Sequence, residues 1–135
     1  GDPECQTILP LLKNDFVEVL QNCIDGSLDK VELNWREEKS ICIVLTSKGY
    51  PEKYQKNILI DKLDQFINTN SEYIFHAGTK IKNGKFYSNG GRVLNFVSIN
   101  KSFISARNNA LKLVKKLNWK SGHFRKDIGF KVINN

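Results

Sequence analysis

An α+β domain is what this 135-residue sequence predicts, on three observations. Two neighbouring segments, Val31-Leu33-Trp35 and Ser40-Ile-Cys-Ile-Val-Leu-Thr-Ser47, have the alternating or β-branched texture of strands. Asn83-Gly84 is the strongest short signal for a β-hairpin, because both residues accept positive φ. Phe103, Ala106, Ala110, Leu113, Val114 and Leu117 recur at helical spacing and mark one apolar face. An antiparallel sheet covered by a helix accommodates all three.

The elements follow in order. Asp2-Pro3 opens a helix as carboxylate cap and first-turn proline, and Pro10 interrupts it. Asn14 caps a second helical piece with Phe16, Val19, Leu20 and Cys23 on one face, stopped by Gly26. Residues 31–35 and 40–47 are expected to pair across the polar turn 36–39, and Lys48-Gly-Tyr-Pro51 ends the second strand. A short strand is expected near Ile58 to Ile60. Others are expected at 72–80, running into a glycine turn, at 90–100, and at 128–133, which closes the sheet. Ser102 is placed to cap the long helix.

Composition narrows the partners. No apolar run approaches the length of a membrane span, and the first residues lack a secretory signal, so a soluble, cytoplasmic protein is expected. Cys5, Cys23 and Cys42 are an odd set without a Cys-x-x-Cys pair, and His76 and His123 stand far apart. Reduced, mostly packed thiols are expected rather than disulfides or zinc. The net charge of +7 is uneven: residues 1–100 carry twelve Lys/Arg against thirteen Asp/Glu, and residues 101–135 carry nine against one. A basic half of this kind raises a nucleic-acid-binding module as the alternative function. Few aromatics interleave with those lysines as stacking platforms, which favours a solvated helix instead.

Three glycine-bearing turns place cations at strand ends: Ser47-Lys48-Gly49-Tyr50-Pro51, His76-Ala77-Gly78-Thr79-Lys80 and Gly90-Gly91-Arg92. Glycine admits close approach of a ligand to the backbone, and Lys and Arg neutralise phosphate. If their strands adjoin, Lys80 and Arg92 form a two-cation clamp for a phosphate monoester; a plain hairpin with scattered lysines explains the same residues. His76 reads as a hydrogen-bonded structural histidine, and Asp2 and Glu4 as either paired acids or dipole partners of a helix start. No Ser-His-Asp or Cys-His arrangement, P-loop or GxGxxG is present.

Taken in order, "GDPECQ", "SKGYP", "FHAGTK", "GGRVLNFVS" and "FRKDIG" resemble the carboxyl-terminal part of the phosphoribosylamine–glycine ligase family, ATP-grasp enzymes of purine biosynthesis. The resemblance covers essentially the whole chain and departs from the family's usual residues at Cys5 and Thr46. It implies a half-barrel of antiparallel strands with a covering helix, the single-hybrid-like domain (residues 29–135), after a helical end of the ATP-grasp domain (residues 1–28). It implies that ATP, with magnesium or manganese, activates glycine as glycyl phosphate, which the amine of 5-phosphoribosylamine attacks. The partners implied are glycine, 5-phosphoribosylamine, ATP and the remainder of the same polypeptide, with neither nucleic acid nor membrane.

By the same resemblance Asp2 lies at the reacting centre, and Lys80 and Arg92 grip the ribose 5-phosphate. Gly78, Lys48, Tyr50 and, more weakly, Glu4 line the substrate pocket, and the metal ligands and nucleotide grip lie outside the segment. Gly1 then falls just beyond the metal-binding segment, inside an active site, and the segment alone is expected to be inactive.

Overall fold

The computed structural model describes residues 1–133. Its elements are α1 (Glu4–Ile8), α2 (Phe16–Ile24), β1 (Lys39–Ser47), β2 (Glu72–His76), β3 (Thr79–Lys82), β4 (Lys85–Ser88), β5 (Arg92–Asn100), α3 (Phe103–Leu117), β6 (Gly122–His123) and α4 (Phe130–Ile133). A four-stranded antiparallel sheet runs β2-β5-β1-β6, and β3 and β4 form a separate hairpin. The α+β expectation holds.

The sheet is built on β5, whose residues 93–99 are all buried, so both of its faces are covered. On one face Ile43 stands opposite Phe96, and Leu45 opposite Leu94, and α3 lays Ala106, Ala110, Val114 and Leu117 over them. Small alanines at two of these positions let the helix backbone approach the sheet. The other face presents Cys42, Asn95 and Val97, and α1 lies against it. Fully burying a Phe96 or Leu94 is worth about 1.5–3 kcal/mol each. Exposed ion pairs such as Arg125–Asp127 are screened by water and add little. The apolar core therefore carries the stability.

Local signals explain the helix ends. Ser102 caps α3, its hydroxyl accepting from the Ser105 N–H at 3.1 Å, and Asn118 ends it in the left-handed conformation. Asn83 and Gly84, at φ 51 and 71, make the β3–β4 turn as the sequence predicts. Gly26, at φ 66, follows α2.

Several expectations are corrected. Asp2 does not cap α1; Pro3 occupies the cap position without a side-chain bond, because the Asp2 carboxylate is taken by a charged donor, Arg92. Asp15 rather than Asn14 caps α2, and Asn14 instead ties the chain to Glu32 and Asn34. Those bonds, with Lys13 N–H to the Asn34 carbonyl and Arg36 N–H to that of Leu11, keep residues 31–35 beside 11–13 as a single bridge, Leu12 to Trp35, and not as a partner of β1. The 58–60 strand is likewise one bridge, Leu59 to Tyr87.

Residues 128–133 do not close the sheet. Gly129 turns at φ 78 and a single helical turn, α4, follows, while β6 takes the edge beside Thr46 and Ser47. Of the predicted face of α2, only Val19 is buried; Phe16, Leu20 and Cys23 are exposed. All three cysteines are free, but only Cys42 is packed. No helix among the described residues is long and apolar enough to cross a membrane.

Burial, with the Asp2 charge adding to it, pushes the Cys42 thiol up to about 12, although a hydrogen bond with Thr7 pulls the other way. At pH 8 a disulfide reagent is expected to label Cys5 and Cys23 quickly and Cys42 only after denaturation. Three fast thiols in the native protein would contradict this packing.

Candidate functional site

The site forms where β5 begins. Along β1–β5 the register slips by one residue, Leu45 standing opposite Leu94 and Thr46 opposite Arg92, so Val93 is the extra residue of a bulge. Bulges re-aim side chains. Val93 and Leu94 both enter the core, and Arg92, beyond them, turns towards α1.

There its guanidinium is met by Asp2. Arg92 Nη2 lies 3.0 Å from Asp2 Oδ2, and Nη1 donates to the Asp2 backbone carbonyl at 3.0 Å. The Gln6 amide donates to Asp2 Oδ1 at 3.2 Å, which fixes the carboxylate from the other side. A guanidinium has more donors than these two bonds use, and about two-fifths of the Arg92 and Asp2 side chains remains exposed. The pair is thus held and still reachable by an anion.

Glycines bring the surrounding turns together. Gly78 N–H donates to the Arg92 carbonyl at 2.8 Å, and Asn89 N–H to the Gly78 carbonyl at 2.7 Å. A Cβ on Gly78 would lie 2.5 Å from the Arg92 carbonyl oxygen and 2.7 Å from Gly90 Cα, so no side chain fits. The Tyr50 ring occupies the space over Gly91 that a side chain there would need. Ser47 fastens the third turn, its hydroxyl donating to the Gly90 carbonyl at 2.9 Å and its N–H to that of Gly91 at 2.7 Å.

The predicted residues thus separate into two groups. Asp2, Arg92, Gly78 and Tyr50 converge on this corner. Lys80 is exposed on β3, two residues beyond Gly78 and opposite Tyr87, in the hairpin rather than in the main sheet. Lys48 lines a different cavity, with Lys53 and Lys120. The Glu4 carboxylate lies over Gly1. His76 Nδ1 is 2.8 Å from the Thr79 hydroxyl, and burial lowers its pKa, which keeps the ring neutral near pH 7.

Two residues escaped the sequence reading. Gln6 orients Asp2, and Asn95 is fully buried within β5 with neither amide atom bonded to another protein group. An asparagine inside the otherwise apolar run Val-Leu-Asn-Phe-Val was the available signal for the second. No group of three or more His, Cys, Asp or Glu able to hold a metal occurs among the described residues.

Both the sequence and the fold have known counterparts. The family model described as "Phosphoribosylglycinamide synthetase, C domain" matches residues 40–131, and the chain belongs to that family. It is 44% identical over 130 residues to a phosphoribosylamine–glycine ligase of Fusobacterium nucleatum, covering 96% of this chain and 30% of that protein. It is 42% identical over 134 residues to the human trifunctional purine biosynthetic protein adenosine-3, covering 98% of this chain and 13% of that one. Among solved structures it superposes on the phosphoribosylamine–glycine ligase of Thermotoga maritima with a TM-score of 0.71 at 28% identity, covering 96% of this chain and 31% of that one. The chain thus spans about a third or less of the relatives it matches.

Gly78→Ala is expected to destabilise the chain by about 1–3 kcal/mol, because backbone atoms would have to move apart. Gly78 has no positive φ, so the cost is steric and should shift the Arg92 and Gly90 amide resonances. A denaturation midpoint and spectrum unchanged from the parent would mean the turns are not in contact.

Proposed function

We propose that this chain is the substrate-binding, carboxyl-terminal portion of an ATP-dependent ligase that joins glycine to 5-phosphoribosylamine, giving glycinamide ribonucleotide for purine biosynthesis in the cytoplasm. Its membership of the synthetase C-domain family supports the reading, as do the names of its relatives. The observation that carries it to particular residues is the Arg92 guanidinium, anchored by Asp2 with donors to spare beside the Gly78 turn.

In this reading Arg92 holds the ribose 5-phosphate, and Lys80, on the separate β3–β4 hairpin, is the second cation. Gly78 keeps the Arg92 and Gly90 backbones in contact behind the guanidinium, and Tyr50 walls the corner over Gly91. An incoming dianion competes with Asp2 for the guanidinium. Because the Asp2–Arg92 pair is partly exposed, breaking it costs at most about 1 kcal/mol. The freed carboxylate then faces the incoming amine.

Glycine reacts as glycyl phosphate: the amine nitrogen bonds to the acyl carbon and inorganic phosphate leaves. What this chain supplies to that step is alignment, since binding energy at the phosphate is spent on holding the nitrogen at the acyl carbon. ATP and magnesium (or manganese) are held mostly by residues outside the chain, which is why the chain alone is inactive. Residues 1–28 belong to the end of the preceding ATP-grasp domain and residues 29–135 to the substrate domain. The largely exposed apolar face of α2 supports that division.

Arg92→Ala in the complete ligase is expected to lower kcat/KM for 5-phosphoribosylamine by about 2–4 kcal/mol, roughly 30- to 900-fold. The ATP and glycine KM values should stay close to the parent's. Arg92 is on the surface, so a thermal melt can confirm that the variant is folded. Unchanged kinetics in a folded variant would remove Arg92 from the site.

A further inference from the structure

Away from the Asp2–Arg92 corner, the loop after β1 and the segment after α3 border an open cavity of about 530 Å³. Lys48, Lys53 and Lys120 line it with Tyr54, Gln55 and Ser121, and no acidic residue joins them. None of the three lysines makes an ion pair among the described residues. Backbone geometry assembles the cluster. Gly49, at φ 97, folds the chain back so tightly that a Cβ would strike the Lys53 carbonyl, and Lys48 N–H donates to the Ser121 carbonyl at 2.8 Å. A second cavity of about 440 Å³ shares Ile58, Lys120 and Ser121 with the first and adds Lys62 and Lys116 against Asp61.

We infer that the Lys48–Lys53–Lys120 cavity is a binding site for a compact polyphosphate group, separate from the ribosyl-phosphate corner. Concave walls of one charge focus the field and concentrate counter-ions. Three lysines with no carboxylate in the cavity lining match a diphosphate, whereas the dianion of a phosphate monoester leaves one charge unanswered. Ammonium groups bind phosphate as rotatable point charges and do not require the planar fork of arginine. The volume lies in the range of small-molecule sites. Tyr54 and Ile58 give the group's organic substituent an apolar wall. A polynucleotide track would present free aromatic faces for base stacking. Here the indole N–H of nearby Trp119 is spent on the Leu59 carbonyl at 2.8 Å, and its ring packs against Gly122.

The test is titration of this chain with inorganic pyrophosphate and, separately, with ribose 5-phosphate, in salt of about 0.15 M, followed by calorimetry and amide chemical shifts. Pyrophosphate is expected to bind saturably and to move the Lys48, Lys53 and Lys120 amides. The Lys53→Glu/Lys120→Glu double variant is expected to weaken that binding by about tenfold or more, and Arg92→Ala to leave it within about twofold. Both are surface changes, and a thermal melt checks that each variant folds. Loss of pyrophosphate binding in Arg92→Ala would overturn the separate site, as would the absence of saturation at millimolar pyrophosphate. Tighter binding of a single-stranded oligonucleotide through the same lysines would replace it with a polynucleotide surface. Failure of the ribosyl-phosphate reading appears differently, as ribose 5-phosphate leaving the Arg92 resonances unmoved.

Discussion

Between Leu45 and Thr46 the β1–β5 ladder takes up one extra residue on the β5 side, and the aim of the side chains beyond it follows. Successive strand residues point to opposite faces, so an unbroken register would send Arg92 to the same side as Leu94, under α3. The extra residue, Val93, is absorbed by the core instead, and Arg92 emerges on the α1 side where Asp2 meets it. A single backbone irregularity thus decides whether a cation is driven against the core or meets a carboxylate at the surface.

The energies divide in a way that suits this arrangement. Rigidity comes from the apolar layer of Ile43, Leu45, Leu94, Phe96 and the small face of α3, where each large side chain contributes more than an exposed ion pair. The polar contacts at the corner are individually weak and partly wet. The scaffold therefore holds the turns in place by backbone contact at Gly78, Gly90 and Gly91 while leaving the charged tips free to change partners.

Where the determinants are local, the residues disclose the structure. The Asn83-Gly84 turn, the Ser102 cap and the 3.6-residue stripe of α3 depend on neighbours within a few positions, and each was legible. Residues 31–35 have a strand's alternation, but a strand needs a partner, and the side chain of Asn14 fixes that stretch beside residues 11–13. Six residues at 128–133 are too few to separate a two-residue period from a helical one, and Gly129 decided it. Asn14 and Asp15 are both good caps, so the choice between them rested on tertiary contacts. Of the site, the glycine turns and their cations were visible. The bulge at Val93, and the meeting of Lys48 and Lys53 with Lys120 from the far end of the chain, were not, since no local pattern encodes them.

Helix α2 carries a further consequence. Val17 and Ile24 are each more than 70% exposed, and Phe16 and Leu20 remain nearly half uncovered on the same short helix. Isolated molecules of this chain must carry that greasy ridge into water, with the net charge of +7 as the force keeping them apart. Added salt shortens the reach of that repulsion without covering the ridge, so clumping should set in as ionic strength rises.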